Sequence, residues 1–542
     1  MRKKENGYWL QRWNCGLSRD EEKQLLLRCF ACVFLWGLLA HAYGFLQDSF
    51  SHDVLNALYA DGVEVYWKMQ LGRFGTVLYR RLIRLPLTMP WLLGVLSLGW
   101  MSAALFLAAK LFRVRSKAML FLVAGVAAVN LSMSAMTATY LYEMDMDMFA
   151  LLAAVAAVFA WARFGWLGTA LGAVLTAVVL SLYQSYLSVI LTLVIFFCLW
   201  RLLEGVRFRE VFPAGLRSLV MIGLGGGLYY ALLRLMVRLK DIPLDTGSNN
   251  SVYQALAAGE KAPGLWEKLC LVYGDVAAAF FPPTESFMDR VLCVGNAALL
   301  VLTLVLLLVF LLRGKNGWGE KLLALALVLL LPLAVNAARY FSRYPAHDLM
   351  KYAFWLLLLL PLLLCRSLPQ GRPRLAVRAL AALVLLVLLW DNVQTANALY
   401  VKKDLEQDAT LSLMTRVLGR VEAEPDYVPG ETPVVFVGTD GTLNGPVYGY
   451  ERYDAITGAE YPTALQYSHA TYYYNTYAAY FRYVLNTRIQ LAEPGTWERL
   501  QWDERVQAMG AYPSADCLQE IDGVLVVKVG EPSDYSRQPE TD

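Results

Sequence analysis

The sequence predicts an all-α polytopic membrane bundle of about eleven transmembrane helices, followed by a small extracytoplasmic C-terminal α/β domain. Three observations carry that expectation. The first is composition: 57% of the 542 residues are hydrophobic, only 17% are charged, and the mean hydropathy is +0.43. An average soluble domain is roughly 25% charged. So few charges cannot cover a water-facing surface of this size, which excludes a soluble enzyme along with a disordered chain, a collagen and a disulfide scaffold. The second is a series of long apolar runs. The third is an asymmetry hidden in the net charge of +3: residues 391–542 hold 11 Lys and Arg against 23 Asp and Glu, a balance of −12, which leaves +15 on the first 390 residues. An acidic tail disfavours nucleic acid as a partner, and the basic excess calls for a topological explanation.

A spanning helix needs roughly 20 apolar residues to cross a hydrocarbon core about 30 Å thick. Segments 118–142 and 291–312 are long enough and free of charge. Further apolar segments fall at about 25–46, 91–109, 148–162, 214–233, 322–338, 352–365 and 375–390. Residues 164–200 form a charge-free run of 37. As one helix it would be about 55 Å long at 1.5 Å per residue, too long for a single crossing, and the polar break Tyr183-Gln184-Ser185 divides it in two. The span at 148–162 is short, with Trp161, Arg163 and Trp166 placed to anchor its end at an interface.

Orientation follows from Lys and Arg in the short loops. Arg2, Lys3, Lys4, Arg12, Arg19, Lys23 and Arg28 lie at the N-terminus. With eleven spans, Lys110, Arg113, Arg115 and Lys117 fall on the same side, as do Arg163, then Arg201, Arg207, Arg209 and Arg217. Arg313, Lys315 and Lys321 follow on that side, and then Arg366, Arg372, Arg374 and Arg378. That distribution predicts a cytoplasmic basic N-terminus (residues 1–24), a transmembrane domain (25–392) and an extracytoplasmic domain (393–542). No cleavable signal peptide is expected, because the first 28 residues are polar and basic and the first apolar run is a full span. Three outer segments are long. Residues 47–90 include amphipathic stretches such as 77–85, suited to the membrane interface. Residues 234–290 include the polar patch 245–250, of loop character. The third is everything beyond about 391.

In that last segment, 396–423 shows apolar residues at helical spacing, 432–438 (TPVVFVG) and 522–530 (DGVLVVKVG) read as strands, and 497–509 as a helix. Eleven tyrosines lie between residues 440 and 485; packing aromatics at a membrane interface and a sugar-stacking surface are both consistent with them. The eight cysteines are scattered. Cys29 and Cys32 open an apolar helix with no His or second pair nearby, so they read as a helix face, and no metal site is expected.

Candidate chemistry sits at the outer span ends. A carboxylate at a membrane helix centre costs about 2.5–3.5 kcal/mol, so acidic clusters near span ends call for a reason. Two share the predicted outer side: Ser51-His52-Asp53 after the first span, and Glu143-Met144-Asp145-Met146-Asp147 between the third and fourth. Each alone is equally well a solvated turn marking a helix end. The basic residues Arg73, Arg339, Arg343, His347 and Lys351 fall on the same side, against the positive-inside bias. Their counter-ion is a lipid headgroup phosphate, one of these carboxylates, or a substrate phosphate. One chemistry uses the whole set at a membrane surface: glycosyl transfer from a lipid-phosphate sugar. A carboxylate base takes the acceptor hydroxyl proton, cations stabilise the departing lipid phosphate, and a second carboxylate orients the acceptor or the base. Direct displacement at the anomeric carbon inverts its configuration.

These landmarks, in order, resemble the bacterial glucosyltransferase II family, membrane enzymes that glucosylate O-antigen. The matching segments are Ser51-His52-Asp53 with Gly72-Arg73-Phe74, then Tyr142-Glu143-Met144-Asp145, then Leu182-Tyr183-Gln184-Ser185-Tyr186-Leu187. Ala346-His347-Asp348-Leu349-Met350-Lys351-Tyr352 and Asn397-Ala398-Leu399-Tyr400 complete the set. The resemblance implies a GT-C type fold in the bacterial plasma membrane, a polyprenyl-phosphate donor commonly carrying glucose, and an active site on the outer face. It implies Asp53 as catalytic base and Asp145 as the second catalytic carboxylate. His52, Arg73, Glu143, Asp147, Gln184, Arg339, Arg343, His347 and Lys351 are the expected substrate-binding residues; Asp147 falls where the family's pattern usually lacks an acid. No cofactor is expected, although Asp53 and Asp145 would suit a divalent cation. The acidic, Tyr-rich outer domain departs from the short phage-encoded members, which leaves O-antigen, teichoic acid or another wall polymer as the acceptor.

Two other readings use the same residues differently. A transporter or flippase of lipid-linked sugars should show paired halves with broken helices in matching positions; no internal repeat is visible, and the carboxylates lie at span ends. A non-catalytic assembly or sensor protein, binding through its outer domain, would tolerate replacement of Asp53 and Asp145.

Overall fold

The computed structural model describes residues 15–47, 54–55, 61–84, 88–244, 264–284, 287–313, 316–340, 345–438, 453, 456 and 470–531. The chain folds as a helical membrane protein with one small sheet. Among the described residues nine helices are long and apolar enough to cross a membrane: Arg19–Leu46, Pro90–Leu111, Leu141–Arg163, Gly165–Leu182, Gln184–Leu203, Phe208–Lys240, Asp289–Leu312, Trp318–Val335 and Arg372–Glu422. A tenth candidate is a broken one, Lys117–Ala128 with Leu131–Thr139, bent by 46°. The remaining predicted segment, Tyr352–Ser367, is a shorter apolar helix pieced together from α and 3₁₀ turns. All eleven apolar segments are therefore helical, but the expected eleven full crossings become nine or ten.

The departures have local causes. At the bend, Asn130 Nδ2 donates to the Val126 and Ala127 carbonyls at 3.0 Å each, and its Oδ1 accepts from the Met133 amide at 3.1 Å. His41 Nε2 donates to the Ala128 carbonyl at 2.8 Å. Backbone groups released by the break thus find side-chain partners, the condition for irregular backbone at membrane depth. The 164–200 run divides where its polar residues fall. Gly165–Leu182 ends in extended Tyr183 (φ −153°, ψ 113°), and the chain restarts in the 3₁₀ turn Gln184–Tyr186. The acidic segment 143–147, expected between two spans, instead opens the 23-residue helix Leu141–Arg163. Pairing of its carboxylates with Lys68 and Arg84 allows this. It also removes the shortness of the predicted span 148–162. Leu141–Arg163 is the most enclosed of the nine helices, 83% buried over its apolar window against 22% for Phe208–Lys240 and Trp318–Val335.

The amphipathic stretch at 77–85 falls in helix Phe74–Ile83, which buries Thr76, Tyr79 and Arg80. Segment 234–290, expected on the outer side, carries a further helix, Leu265–Phe280; its polar patch at 245–250 lies outside the described residues. The chain divides into two compact units. The first comprises Met1–Phe45, Tyr66–Ser134 and Glu143–Ala396; the second comprises Leu46–Val65, Ala135–Tyr142 and Asn397–Asp542.

The second unit is built on four strands: β1 (Pro433–Val437), β2 (Gln490–Leu491), β3 (Leu518–Ile521) and β4 (Val524–Lys528). Their order is β2-β1-β4-β3, with β1 parallel to both neighbours and β3–β4 an antiparallel hairpin. Asp522-Gly523, expected to open a strand, forms the hairpin turn, with φ of 55° and 78°; Asp-Gly adopts two successive positive φ values more readily than most pairs. The segment expected as one helix at 497–509 is two, Pro494–Leu500 and Glu504–Ala508, because Asp503 caps the second by accepting from the Arg505 amide. Val435, Phe436, Val526 and Val527 form a core with Met414, Val417 and Leu55. Tyr477 is fully buried and stacks on Phe436 at 5.5 Å, so this tyrosine packs the core rather than facing a ligand. Cys29 is buried on the first helix, and all eight cysteines are free thiols.

Candidate active site

Three carboxylates open helix Leu141–Arg163 at alternate positions: Glu143, Asp145 and Asp147. At 3.6 residues per turn, Glu143 and Asp147 share a face and Asp145 points away from it. Their surroundings differ accordingly. Glu143 forms an ion pair with Lys68 of helix Asp61–Gln70. Arg84, at the end of helix Phe74–Ile83, donates from Nε to Asp145 Oδ2 at 2.9 Å. Those two side chains are 2% and 0% exposed. Tyr79 lies beside Asp145, and its hydroxyl accepts from Trp100 Nε1 at 2.9 Å. Asp147 is different. It is 7% exposed, and the charges acting on it are Glu143, Arg73, Lys68 and Asp145. Among the described residues no hydrogen bond or ion pair to its carboxylate is found.

Arg73 is the complementary case. It follows the Leu71-Gly72 turn, where Gly72 has φ 73°. Gln184 Nε2 donates to the Leu71 carbonyl at 3.0 Å and to the Tyr229 hydroxyl at 3.2 Å, and that hydroxyl donates to the Gly72 carbonyl at 3.1 Å. The Arg73 carbonyl accepts from Thr76 Oγ1 at 2.7 Å. The backbone is therefore clamped on both sides of the residue. Its guanidinium lies 4.3 Å from the centre of the Tyr183 ring, and its buried Nε has no partner. Among the described residues no carboxylate pairs with it. Tyr183 and Tyr186 adjoin Asp147, so the unsatisfied carboxylate and the unsatisfied guanidinium share one aromatic surround.

The other expected site residues fall into four groups. Gln184 reaches the Leu71-Gly72 turn, so it positions Arg73. Arg339 and Lys351, expected to await a phosphate, are engaged by carboxylates of the chain itself: Arg339 Nε lies 2.9 Å from Asp275 Oδ2, and Lys351 Nζ lies 2.8 Å from Asp348 Oδ1. His347 precedes the 3₁₀ turn Asp348–Met350, and its buried Nδ1 has no partner. That segment is tied to the bend region through Tyr352, which donates to the Ala127 carbonyl at 2.9 Å, and through Trp355, which donates to Ser132 Oγ at 3.0 Å. His52, Asp53 and Arg343 lie outside the described residues.

Asp145, expected as a catalytic carboxylate, is sealed from solvent, with Oδ2 paired to Arg84 and the buried Oδ1 without a hydrogen-bond partner among the described residues; the pairing is that of a structural clamp. Sequence reasoning missed the partners that make this so: Lys68, Arg84, Tyr79, Asp275 and Tyr229. A signal existed for the cations. Lys68 and Arg84 share the predicted outer segment with Arg73 and are equally anomalous under the positive-inside bias. Among the described residues no group of three or more His, Cys, Asp or Glu side chains gathers to hold a metal ion.

Chemically, the arrangement offers a carboxylate able to accept a proton and a guanidinium able to hold an anion, neither in an ion pair among the described residues, beside neighbours that are. No curated protein and no solved structure matches the chain. The family model described as glucosyl transferase GtrII matches residues 42–389, more than half of the sequence, from the end of the first helix through the carboxylates at 143–147 to the last apolar run. The chain belongs to the glucosyl transferase GtrII family.

Proposed function

We propose that the protein moves glucose from a polyprenyl-phosphate donor to a cell-surface glycan or wall polymer at the outer face of the bacterial plasma membrane, by a GT-C type inverting displacement. Family membership makes it a membrane glucosyltransferase; the donor, the membrane face and the stereochemistry are the proposal. The observation that supports it most is Asp147 beside Arg73, neither of which forms an ion pair among the described residues, whereas Glu143 and Asp145 each do. A buried carboxylate without a partner costs stability, and such costs persist where the group has work to do.

In this reading Asp147 accepts the proton of the acceptor hydroxyl as its oxygen attacks the anomeric carbon. The bond from that carbon to the phosphate oxygen breaks, and its electron pair leaves on the phosphate. Arg73 neutralises that charge as it develops. A lipid phosphate departs as a stable anion, so no acid is required to protonate it. Asp53 is the rival base, nominated by the resemblance, with Asp147 then orienting the acceptor. The Lys and Arg distribution supports a cytoplasmic N-terminus and an extracytoplasmic C-terminal unit. The test is the reaction of the purified protein with undecaprenyl-phosphate glucose of defined anomeric configuration, with the product linkage read by NMR. The opposite configuration is expected; a retained one would refute the single displacement.

A further inference from the structure

Within the helical unit lies a second feature, distinct from the carboxylate cluster. Helices Pro90–Leu111, Lys117–Ala128 and Leu187–Leu203, together with segment Tyr352–Ser367, enclose a cavity of about 400 Å³. That volume falls within the roughly 300–1,000 Å³ of ligand pockets. The wall is hydrocarbon over most of its length: Met119, Val123 and Ala127 line it from one helix, and Val155 and Leu193 from two others. Residues 119 to 127 alone span about 12 Å at 1.5 Å per residue, so the cavity is elongated along the bundle.

One end carries five arginines, Arg113, Arg115, Arg366, Arg374 and Arg378. Arg366 pairs with Glu204. Among the described residues no ion pair engages the other four. Trp200 lies at the same end and is 4% exposed. The guanidinium carbons of Arg113 and Arg366 are 5.7 and 5.8 Å from its ring centre. Its Nε1 is buried without a partner, and so is Arg374 Nε. A positive-inside loop explains arginines that face lipid headgroups from outside the bundle. It does not explain arginines that line the mouth of an interior apolar cavity beside an indole donor with nothing to bond.

We propose that this cavity binds an anionic lipid, one whose headgroup carries a phosphate and no cation, with one hydrocarbon chain lying between the helices and the phosphate held at the arginine end, where five arginines and, among the described residues, no carboxylate line the wall. The phosphate oxygens satisfy Trp200 Nε1 and the unpaired guanidiniums, which favour planar, charge-assisted contacts with phosphate. The chain covers Val123, Val155 and Leu193, removing that apolar wall from water.

The test photolabels the purified full-length protein, in neutral detergent, with a phosphatidylglycerol carrying a diazirine on one acyl chain, and maps the adducts by mass spectrometry. Adducts are expected at or beside Val123, Val155 and Leu193. Unlabelled phosphatidylglycerol and undecaprenyl phosphate form separate competition arms, and the stronger competitor identifies the diacyl or isoprenoid source. Phosphatidylcholine and inorganic phosphate should not compete. The double variant Arg374→Ala/Arg378→Ala should weaken labelling about tenfold or more, since two charge-assisted contacts are lost. Val123→Trp, which fills the cavity and leaves every arginine in place, should abolish the interior adducts; unfolding midpoints close to wild type show that both variants fold. Adducts confined to outward-facing residues such as Leu216 or Leu304, equal competition by phosphatidylcholine, displacement by inorganic phosphate alone, or interior labelling untouched by the arginine changes would each overturn the proposal.

Discussion

Asp145→Asn and Asp147→Asn remove one charge each from positions two residues apart on the same helix, yet the structure assigns them opposite consequences. Asp145 accepts from Arg84 at 2.9 Å with both side chains almost fully buried. Neutralising it removes the charge that Arg84 Nε binds, and breaking a buried ion pair typically costs about 3–5 kcal/mol. Asp147 has no such partner among the described residues, so its neutralisation breaks no described pair; the burial and the repulsion from Glu143 that it relieves oppose the attraction of Arg73 and Lys68 that it gives up, and stability should change little. Activity should show the reverse emphasis. Loss of a general base costs about 10²–10⁴-fold in rate, or about 3–5 kcal/mol of transition-state stabilisation at 1.4 kcal/mol per tenfold. Two effects of similar size therefore appear in different observables. Thermal unfolding in detergent reads the first, and transfer from undecaprenyl-phosphate glucose reads the second. Arg84→Met combined with Asp145→Leu should recover most of the stability lost by Asp145→Asn, because replacing both partners removes both charges of this pair together. Wild-type turnover by Asp147→Asn, or an Asp147→Asn protein less stable than Asp145→Asn, would refute the assignment of working and structural carboxylates.

Arg73→Ala should raise KM for the donor lipid far more than for the acceptor, with a stability loss limited to the Tyr183 contact, about 0.5–2 kcal/mol; a change confined to the acceptor would remove Arg73 from the phosphate. Tyr229→Phe deletes the bond to the Gly72 carbonyl, worth about 0.5–1.5 kcal/mol, and should weaken donor use in the same direction as Arg73→Ala but less; steady-state kinetics with the donor varied checks it. Asp522 and Asp503 are held below the ordinary carboxylate range by hydrogen bonds from Arg505. The stability they lend is present above about pH 4 and is lost as pH falls towards their folded values. Arg505→Ala should flatten that acid limb, and because these groups are exposed the effect should be modest and should shrink in high salt; thermal unfolding against pH at two salt concentrations measures it. Tyr473→Cys should be labelled by an impermeant maleimide in intact cells, and protection until lysis would reverse the proposed topology.

The bundle was legible because each apolar segment is a direct consequence of bilayer thickness, and composition reports it without knowledge of packing. The break at Tyr183-Gln184-Ser185 was legible for the same reason: 37 charge-free residues exceed one crossing. What escaped depended on partners distant in sequence. Glu143 to Asp147 look like a turn until Lys68 and Arg84 are placed beside them; with those counter-ions the segment can remain helical. The bend at Asn130 rests on local side-chain bonds and on His41, 87 residues away from its acceptor Ala128, which no periodicity reveals. In the second unit, β1 and β4 were visible as β-branched runs. By contrast β2 has only two residues, and the single-letter pattern LQEI of β3 alternates too briefly to stand out. At the site, the sequence singled out Arg73 and the acidic segment 143–147, and the resemblance placed Asp145 above Asp147. That Arg84 reaches Asp145 depends on a contact 61 residues apart, which no local pattern reveals.

The central claim, that a membrane glucosyltransferase uses a lipid-phosphate sugar at the unsatisfied Asp147–Arg73 pair, is met most directly by one assay. The purified protein, with an acceptor glycan present, is offered a panel of undecaprenyl-phosphate sugars beside the corresponding nucleotide sugars. Transfer from undecaprenyl-phosphate glucose, lost in Asp147→Asn, is the result this account predicts; transfer from nucleotide sugars alone, or transfer that persists undiminished in the variant, would contradict it.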